Sequence, residues 1–480
     1  MLQEVCLMRD ALIGRRAEKS ELLDLFHSGR AEFVTIYGRR RVGKTFLVNN
    51  LFADKYAFKV TAILDDDTQR QLSNFAEALS EYGKNDKPAL PDWFAAFERL
   101  RTLLECSKRK RKIVFIDEMP WLDTKGSRFI PALEHFWNGW ASAQDDIMLI
   151  VCGSAASWIA KKLFRNRGGL HNRITRRILL QPFTLAECRM FAEREGFPVD
   201  ELNLLETYMT FGGIPYYLSL MNKNLSLAQN VSRLCFSPGG ELREEFDNLY
   251  ASLFRNAARH ILVVEALGKT KSGLTREEIK QITKLPEGGS LTESLEELEL
   301  SGFIRKYTPF AREKKGALYQ LIDHFTLFHL AFIKGNPPDD PDHWMKKRET
   351  QVFRTWRGYA FEQVCLSHVG QIKKAIGISG VITHVESWRS ERSDPGAQID
   401  LLINRNDQVI SLCEMKYSDA EFAITKKQAQ DLRNKRNVFI EETGTRKAVH
   451  IALITPVGVK RNDYYDLVQS IVTTEDLFRD

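Results

Sequence analysis

Hydrophobic positions along the chain fall into two rhythms. Short unbroken runs rich in β-branched residues read as strands buried on both faces: Phe33-Val34-Thr35-Ile36-Tyr37, Ile113-Val114-Phe115-Ile116 and Ile147-Met148-Leu149-Ile150-Val151. Between and after them the spacing turns helical. Phe46 to Phe52 reads as the start of a helix, and Thr184-Leu185-Ala186-Glu187 is a capping box ahead of a periodic stretch through Phe191. Residues from about 184 to 250 read as helices. Beyond them, Ile261 to Leu267 makes one helix, Thr275 caps a second that buries Ile279 and Ile282, and Ser290 caps a third with Leu291, Leu295 and Leu298 on one face. Phe303-Ile304 and Leu318-Tyr319-Gln320-Leu321 then read as two strands of a hairpin.

That last series of three helices and a hairpin is the pattern of a winged helix-turn-helix. Its third helix carries Glu293, Glu296, Glu297 and Glu299 and no lysine or arginine, so a phosphate backbone would repel it. The hairpin carries Arg305, Lys306, Arg312, Lys314 and Lys315, which would suit one. The balance favours a structural or nucleotide-sensing module over a reader of base sequence. Gly335 to Asp342 holds three prolines and no core-forming residue, and predicts a boundary or surface loop.

Between the first strand and its helix lies Gly38-Arg39-Arg40-Arg41-Val42-Gly43-Lys44-Thr45, a G-x-x-x-x-G-K-T phosphate-binding loop. Strand, glycine loop and helix N-terminus direct backbone N–H groups at phosphate oxygens. Lys44 is expected to reach the β- and γ-phosphates of ATP, and Thr45 to hold Mg²⁺. Phe46 opens the helix beside them. The second strand ends in Asp117-Glu118. Ligands bind at the carboxyl ends of parallel strands, so Asp117 is expected to hold the Mg²⁺ shell and Glu118 to orient or deprotonate the attacking water. The third strand runs on to Cys152-Gly153-Ser154; Ser154 is either a sensor of nucleotide state or a helix N-cap. The basic run Lys108 to Lys112 reads as a solvated helix end or loop.

Composition adds modest bounds. The chain has 480 residues, 43% apolar, with 69 basic and 63 acidic residues for a net charge of +6. Length implies roughly three domains, and the mild basicity permits nucleic-acid contact without demanding it. Seven cysteines without a C-x-x-C pair point to reduced thiols and a cytoplasmic protein. Met1 to Arg16 carries Glu4 and Asp10 and no continuous apolar core, so no signal peptide is expected, and the longest apolar run, Ile147 to Ala160, is too short for a membrane helix.

The order Ile13-Gly14-Arg15, phosphate loop, Asp117-Glu118 followed by Met119-Pro120-Trp121-Leu122, Cys152-Gly153-Ser154 and Gly212-Gly213-Ile214-Pro215 resembles prokaryotic ATPases of the AAA+/STAND type, the archaeal-type branch, over roughly residues 10 to 335. The resemblance implies that Gly14 and Arg15 help close the adenine pocket and that Gly213 and Pro215 pack on the nucleotide from a helical lid. Gly169-Leu170-His171-Asn172-Arg173-Ile174, ahead of Gln181-Pro182-Phe183, resembles the family segment before a strand end. Arg173 is then the first choice for an arginine acting on the γ-phosphate in cis or in trans, with Arg165 and Arg167 as rivals.

A second chemistry begins after the proline-rich stretch. Glu362 sits on a helix, Asp400 begins the strand Gln398 to Ile403, and Glu414-Met415-Lys416 ends the strand that starts at Val409. Glu414 and Lys416, two apart, share a face. Asp400 stands on the neighbouring strand, so two carboxylates and a lysine converge. Hard oxygen ligands of this kind suit Mg²⁺. The series Glu362, Asp400, Glu414-x-Lys416 resembles the PD-(D/E)xK nuclease core; Ile399 stands where proline would precede the aspartate, and Asp394-Pro395 is an inverted dipeptide of no evident use. The resemblance implies that Asp400 and Glu414 hold the metal with the Met415 carbonyl, that Glu362 completes the shell, and that Lys416 activates water. Lys426, Lys427, Arg433, Lys435 and Arg436 follow on a helical stretch that either tracks a nucleic-acid backbone or is a solvated face.

Taken together, these readings predict an α/β protein. Its parts are a P-loop AAA+ core with a parallel sheet (1–183), a helical lid (184–254), a winged helix (255–334) and an α/β restriction-endonuclease-like domain (345–480). The function expected is ATP binding and hydrolysis that regulates or powers a Mg²⁺-dependent nuclease on DNA or RNA. By analogy with such fusions, defence or mobile-element control is the implied setting, with a homo-oligomer or a protein partner in view. The alternative is a nucleotide-dependent switch whose carboxyl-terminal domain binds and does not cut.

Overall fold

The computed structural model describes residues 12–479, apart from 84–88, 166–167, 171, 255, 287–288, 308–309, 311–316, 336–342 and 391–396. Arg167, His171, Arg312, Lys314, Lys315, the prolines of 337–341 and Asp394-Pro395 therefore lie outside the described residues, as does the amino-terminal stretch to residue 11. The chain divides into two compact units, Met1–Pro182 with Ala251–Arg255, and Phe183–Tyr250 with Asn256–Asp480.

The first unit is built on five parallel strands: β1 (Glu32–Tyr37), β2 (Tyr56–Thr61), β3 (Lys112–Asp117), β4 (Ile147–Gly153) and β5 (Arg176–Leu179). Their spatial order is β2-β3-β4-β1-β5. The unbroken apolar runs are explained by this arrangement, because β1, β3 and β4 are covered on both faces. One face rests on an aromatic cluster that includes Phe58, Phe75, Trp93, Phe97, Phe129 and Trp137. Each such side chain contributes on the order of 2–3 kcal/mol when fully buried. β4 lies between β1 and β3, so the chain ends of all three meet at one edge.

The basic run before β3 is more than a solvated loop. Arg111 donates from Nη1 to the carbonyls of Arg30 (2.8 Å) and Asp145 (2.7 Å) and from Nη2 to that of Leu25 (2.8 Å). It ties two loops and the end of the helix Arg16–Phe26 together at the amino edge of the sheet.

The second unit contains three parts. The first is helical, with Leu185–Glu195 opened by the Thr184/Glu187 capping box and Glu201–Phe211 ended by Gly212. The second has helices Ala257–Gly268, Arg276–Thr283 and Gly289–Leu300, and a small antiparallel sheet. Its strands β6 (Leu274–Thr275), β7 (Ile304–Tyr307) and β8 (Leu318–Leu321) lie in the order β6-β8-β7. Thr275 and Glu278 form the expected capping box. Ser290, expected as a cap, is the second residue of its helix.

The third part is a five-stranded sheet of β9 (Thr383–Arg389), β10 (Gln398–Arg405), β11 (Val409–Met415), β12 (Ala448–Ile454) and β13 (Ser470–Val472), in the order β13-β12-β11-β10-β9. β9, β10 and β11 run antiparallel; β11, β12 and β13 run parallel. Helices Gln351–Ser367 and Lys426–Thr443 accompany it.

The proline-rich stretch predicts a boundary, yet elements on either side of it pack against each other. The amide of Leu185 donates to His368 Nε2 at 3.1 Å, and the Tyr359 hydroxyl donates to the carbonyl of Leu321 at 3.2 Å. Arg348 pairs with Glu206. The amide of Phe310 donates to the Ser387 carbonyl at 2.7 Å, and the Phe310 ring meets Phe439 edge-on at 5.2 Å. The β7–β8 hairpin is thus anchored on the β9–β13 sheet.

Candidate functional site

At the carboxyl edge of the first sheet, β1 ends at Tyr37 and the phosphate loop begins. Gly38 has φ 137°, and a Cβ there would lie 2.4 Å from the Leu180 carbonyl oxygen. Gly43 has φ 91° and precedes the helix Lys44–Phe52, whose N-terminus no side chain caps. Its first-turn N–H groups are therefore free of side-chain acceptors, the arrangement an anion satisfies. Lys44 is buried, and its Nζ donates to the carbonyls of Gly38 (3.0 Å) and Arg39 (2.9 Å). Burial pulls its pKa down, opposed chiefly by the charge of Glu118. Thr45 Oγ1 donates to Asp117 Oδ2 at 2.8 Å, across 72 positions of sequence. Burial raises the Asp117 carboxyl, and the Thr45 hydrogen bond works against that rise.

Glu118 sits in the left-handed region at φ 49°, a costly conformation for a side chain of this size. Its carboxylate accepts from the Ser154 hydroxyl (2.9 and 3.1 Å to the two oxygens) and from the Ser154 amide (3.1 Å). Of the two readings of Ser154, the structure sets aside the N-cap: Ala155 precedes the short helix, and the Ser154 hydroxyl and amide both meet the Glu118 carboxylate. Arg15, also left-handed at φ 52°, donates from Nη2 to the Val42 carbonyl at 3.2 Å, so it braces the loop from outside. Gly14 before it has φ 58°. Arg39 and Val42 are buried, Arg40 and Arg41 half-buried, and Phe46 is exposed at the start of the helix.

Of the two ways Arg173 is expected to act, the one in cis needs correction. The amide of Thr175 donates to the Phe33 carbonyl, and β5 then runs parallel to β1 with Leu179 beside Tyr37. Arg173 is therefore exposed near the amino end of β1, roughly 13 Å along the strands from the phosphate loop. Parallel register rules out an approach to a phosphate on its own loop. Arg165 follows the segment Ala160–Phe164, where its amide donates to the Ala160 carbonyl at 2.8 Å. Gly213 and Pro215 belong to the second unit. Gly213 has φ 64°, and a Cβ there would lie 2.3 Å from the Phe183 carbonyl oxygen, so glycine is required by that contact alone. Pro215 opens the helix Pro215–Ser219.

The second cluster lies in the β9–β13 sheet. Leu401 pairs with Cys413 across β10 and β11, and the same register one residue on sets Asp400 opposite Glu414. A bulge between Ile399 and Leu402 on the β9 side turns β10 at this point. Glu414 is buried. Its Oε1 lies 2.8 Å from Lys416 Nζ and its Oε2 2.8 Å from Lys435 Nζ. Burial opposes its charge, but the two lysines outweigh burial and hold it below the usual carboxylate range. Asp400 is raised by burial, partly offset by a 2.6 Å hydrogen bond from Gln398. Glu362, on Gln351–Ser367, is pushed up to about 8 by burial and by the Asp400 carboxylate. The four residues anticipated from sequence thus feel one another electrostatically. Among the described residues, however, no three His, Cys, Asp or Glu side chains are gathered closely enough to hold a metal ion. Sequence reasoning missed Lys435 as a partner of Glu414 and Gln398 as a partner of Asp400. Lys435 was visible only as one cation of a basic helix.

Residues 12–221 match a family described as an ATPase domain predominantly from Archaea. That stretch includes the phosphate loop, Asp117-Glu118 and Ser154, and the match supports a P-loop ATPase in this part of the chain. Over 437 residues the chain is 25% identical to MJECL04 of Methanocaldococcus jannaschii, covering 88% of this chain and 91% of that protein. Among solved structures it is similar to the Walker-type ATPase PABY2304 of Pyrococcus abyssi, with 18% identity and a TM-score of 0.47 over 67% of this chain and 97% of that one. It is also similar to the ORC2 protein of Aeropyrum pernix, with 14% identity and a TM-score of 0.42 over 71% and 96%. No helix among the described residues is long and apolar enough to cross a membrane.

Proposed function

We propose that the protein binds and hydrolyses ATP in its first unit and that this cycle regulates or powers a Mg²⁺-dependent nuclease in its second. The ATPase half of the reading is supported by the Thr45–Asp117 hydrogen bond, a hard-oxygen pair suited to Mg²⁺, beside an uncapped helix N-terminus and a buried lysine. On this reading Lys44 exchanges its loop carbonyls for phosphate oxygens. Glu118, oriented by Ser154, accepts the proton of the attacking water. Arg173, exposed at the far edge, would act only in trans, within a homo-oligomer.

The nuclease half is carried by one observation, the register that sets Asp400 opposite Glu414 with Lys416 beside it. The order of helix, three antiparallel strands, helix and parallel strand around these residues supports the PD-(D/E)xK reading. Asp400 and Glu414 would hold Mg²⁺, with Glu362 behind them; once bound, Mg²⁺ neutralises phosphate charge and lowers the pKa of water. Lys416 supplies the cation facing the phosphodiester. The three helices and the β6-β8-β7 sheet support a winged helix in a structural role, because its third helix is acidic. A cytoplasmic protein acting on DNA or RNA fits this reading.

A second reading is favoured by the two lysines that occupy both Glu414 oxygens, with no three-acid cluster among the described residues: a nucleotide switch whose carboxyl-terminal part binds without cutting. One assay separates them. Plasmid, linear duplex, single-stranded DNA and RNA are incubated with Mg²⁺ and ATP and with wild type, Lys416→Ala or Lys44→Ala protein. The nuclease reading expects wild type to cut at least one substrate and Lys416→Ala to cut it roughly 100-fold more slowly while still hydrolysing ATP. Lys44→Ala should lose ATP hydrolysis and alter cleavage. Wild type that cuts no faster than Lys416→Ala leaves the switch reading standing.

A further inference from the structure

A cavity of about 430 Å³ opens between the β7–β8 hairpin and the β9–β10 edge, within the size range of small-ligand sites. Arg305 and Lys306 of β7 and Gln320 of β8 line one side; His384 of β9 and Asp400 of β10 line the other. The cavity therefore shares a wall with the acidic cluster. Its cationic side comes from the hairpin, held in place by the Phe310–Ser387 hydrogen bond and the Phe310–Phe439 contact.

Arg305 is the informative residue. Its Nη2 donates to Gln320 Oε1, and Gln320 in turn donates to the Lys271 carbonyl at 2.8 Å, so the guanidinium is fixed from one side. That uses one of five N–H donors. Among the described residues no carboxylate lies within ion-pair distance of Arg305, although burial disfavours its charge. Among the described residues the Asp400 carboxylate favours its charge only from beyond ion-pair distance; a planar-binding anion matches a guanidinium so placed, and phosphate accepts two parallel N–H bonds from it. Glu386 also lines the cavity, but its carboxylate accepts from Asn404 Nδ2 at 3.2 Å on β10.

We propose that this cavity is a phosphate subsite for a nucleic-acid strand, with Arg305 its principal cation and Lys306 at its rim, seating the backbone next to Asp400. The proposal rests on the nuclease reading for what becomes of the strand, though not for its binding. It also gives the hairpin a role the acidic third helix denies to the rest of its module: it contributes to the site from the side.

The test measures binding of a short labelled single-stranded DNA, and of RNA of the same sequence, to the full chain in EDTA at several salt concentrations. Arg305→Ala is expected to weaken binding roughly tenfold and to lower the salt slope by about one. Arg305→Lys should recover part of the loss, and the melting temperature and ATP hydrolysis should stay at wild-type values. If Arg305→Ala does not fold, exposed Lys306→Ala should weaken binding in the same direction by a smaller factor. Binding by wild type that neither variant changes, or no binding at all, overturns the subsite. Adding Mg²⁺ separates the two ideas. Strand bound through Arg305 and never cut removes the nuclease reading and keeps the subsite. Strand cut equally by wild type and Arg305→Ala, and lost only in Lys416→Ala, does the reverse.

Discussion

At the residue scale, the proposed ATP site depends on a few side chains that hold one another in position. Glu118 is in a strained backbone conformation, and its carboxylate is fixed by both the hydroxyl and the amide of Ser154. If Glu118 is the base proposed above, a base held by two donors is aimed before any ligand arrives, which is where such strain is useful. Ser154→Ala removes one of them and leaves the amide. We expect a fall in kcat for ATP hydrolysis of roughly tenfold with little change in KM, and recovery in Ser154→Thr. Steady-state kinetics decide it; a rise in KM alone would place Ser154 in binding instead.

At the element scale, two backbone devices position the chemistry. One is the tight start of the phosphate loop, where the amide of Leu180 donates to the Tyr37 carbonyl at 2.8 Å and Gly38 turns away beneath it. Gly38→Ala would drive a Cβ into the Leu180 carbonyl oxygen at an unfavourable φ. We expect it to cost about 2 kcal/mol or more and to abolish ATP binding. Gly139→Ala, with open space around its Cβ, should leave stability within about 0.5 kcal/mol of wild type. Thermal melts of the two variants provide the comparison. The other device is the bulge of β10, which turns the strand where Asp400 faces Glu414.

At the scale of the whole molecule, the second unit is one packed body whose aromatic interior constrains its pH range. His329 lies flat against Phe246, with ring centroids 4.1 Å apart and planes 4° apart, and is buried. Burial, with Lys334 nearby, lowers its pKa to about 4. The unfolded chain takes up this proton near pH 6.5 and the folded one near 4, so the unfolded state binds more protons between them. Stability should therefore fall as pH drops from about 6.5 to 4, by about 3 kcal/mol at most from this group. His329→Phe should flatten that part of the profile. Urea midpoints measured across this range check it; parallel profiles for the two proteins would count against the assignment.

What the sequence by itself determined is whatever is written in neighbouring residues. Gly38 to Thr45, the apolar strand ahead of Asp117-Glu118, the capping boxes at Thr184 and Thr275 and the Glu414-x-Lys416 pair all rest on spacing within one element, and local geometry follows from spacing. Tertiary structure alone decided the contacts made across long separations. Only packing brings Lys435 to Glu414, Ser154 to Glu118, Arg111 to the carbonyls of Leu25, Arg30 and Asp145, and Phe310 to Ser387. Only strand order sends Arg173 to the wrong edge for its own phosphate loop. No local rhythm encodes these, because each depends on which strands lie side by side and in which direction they run.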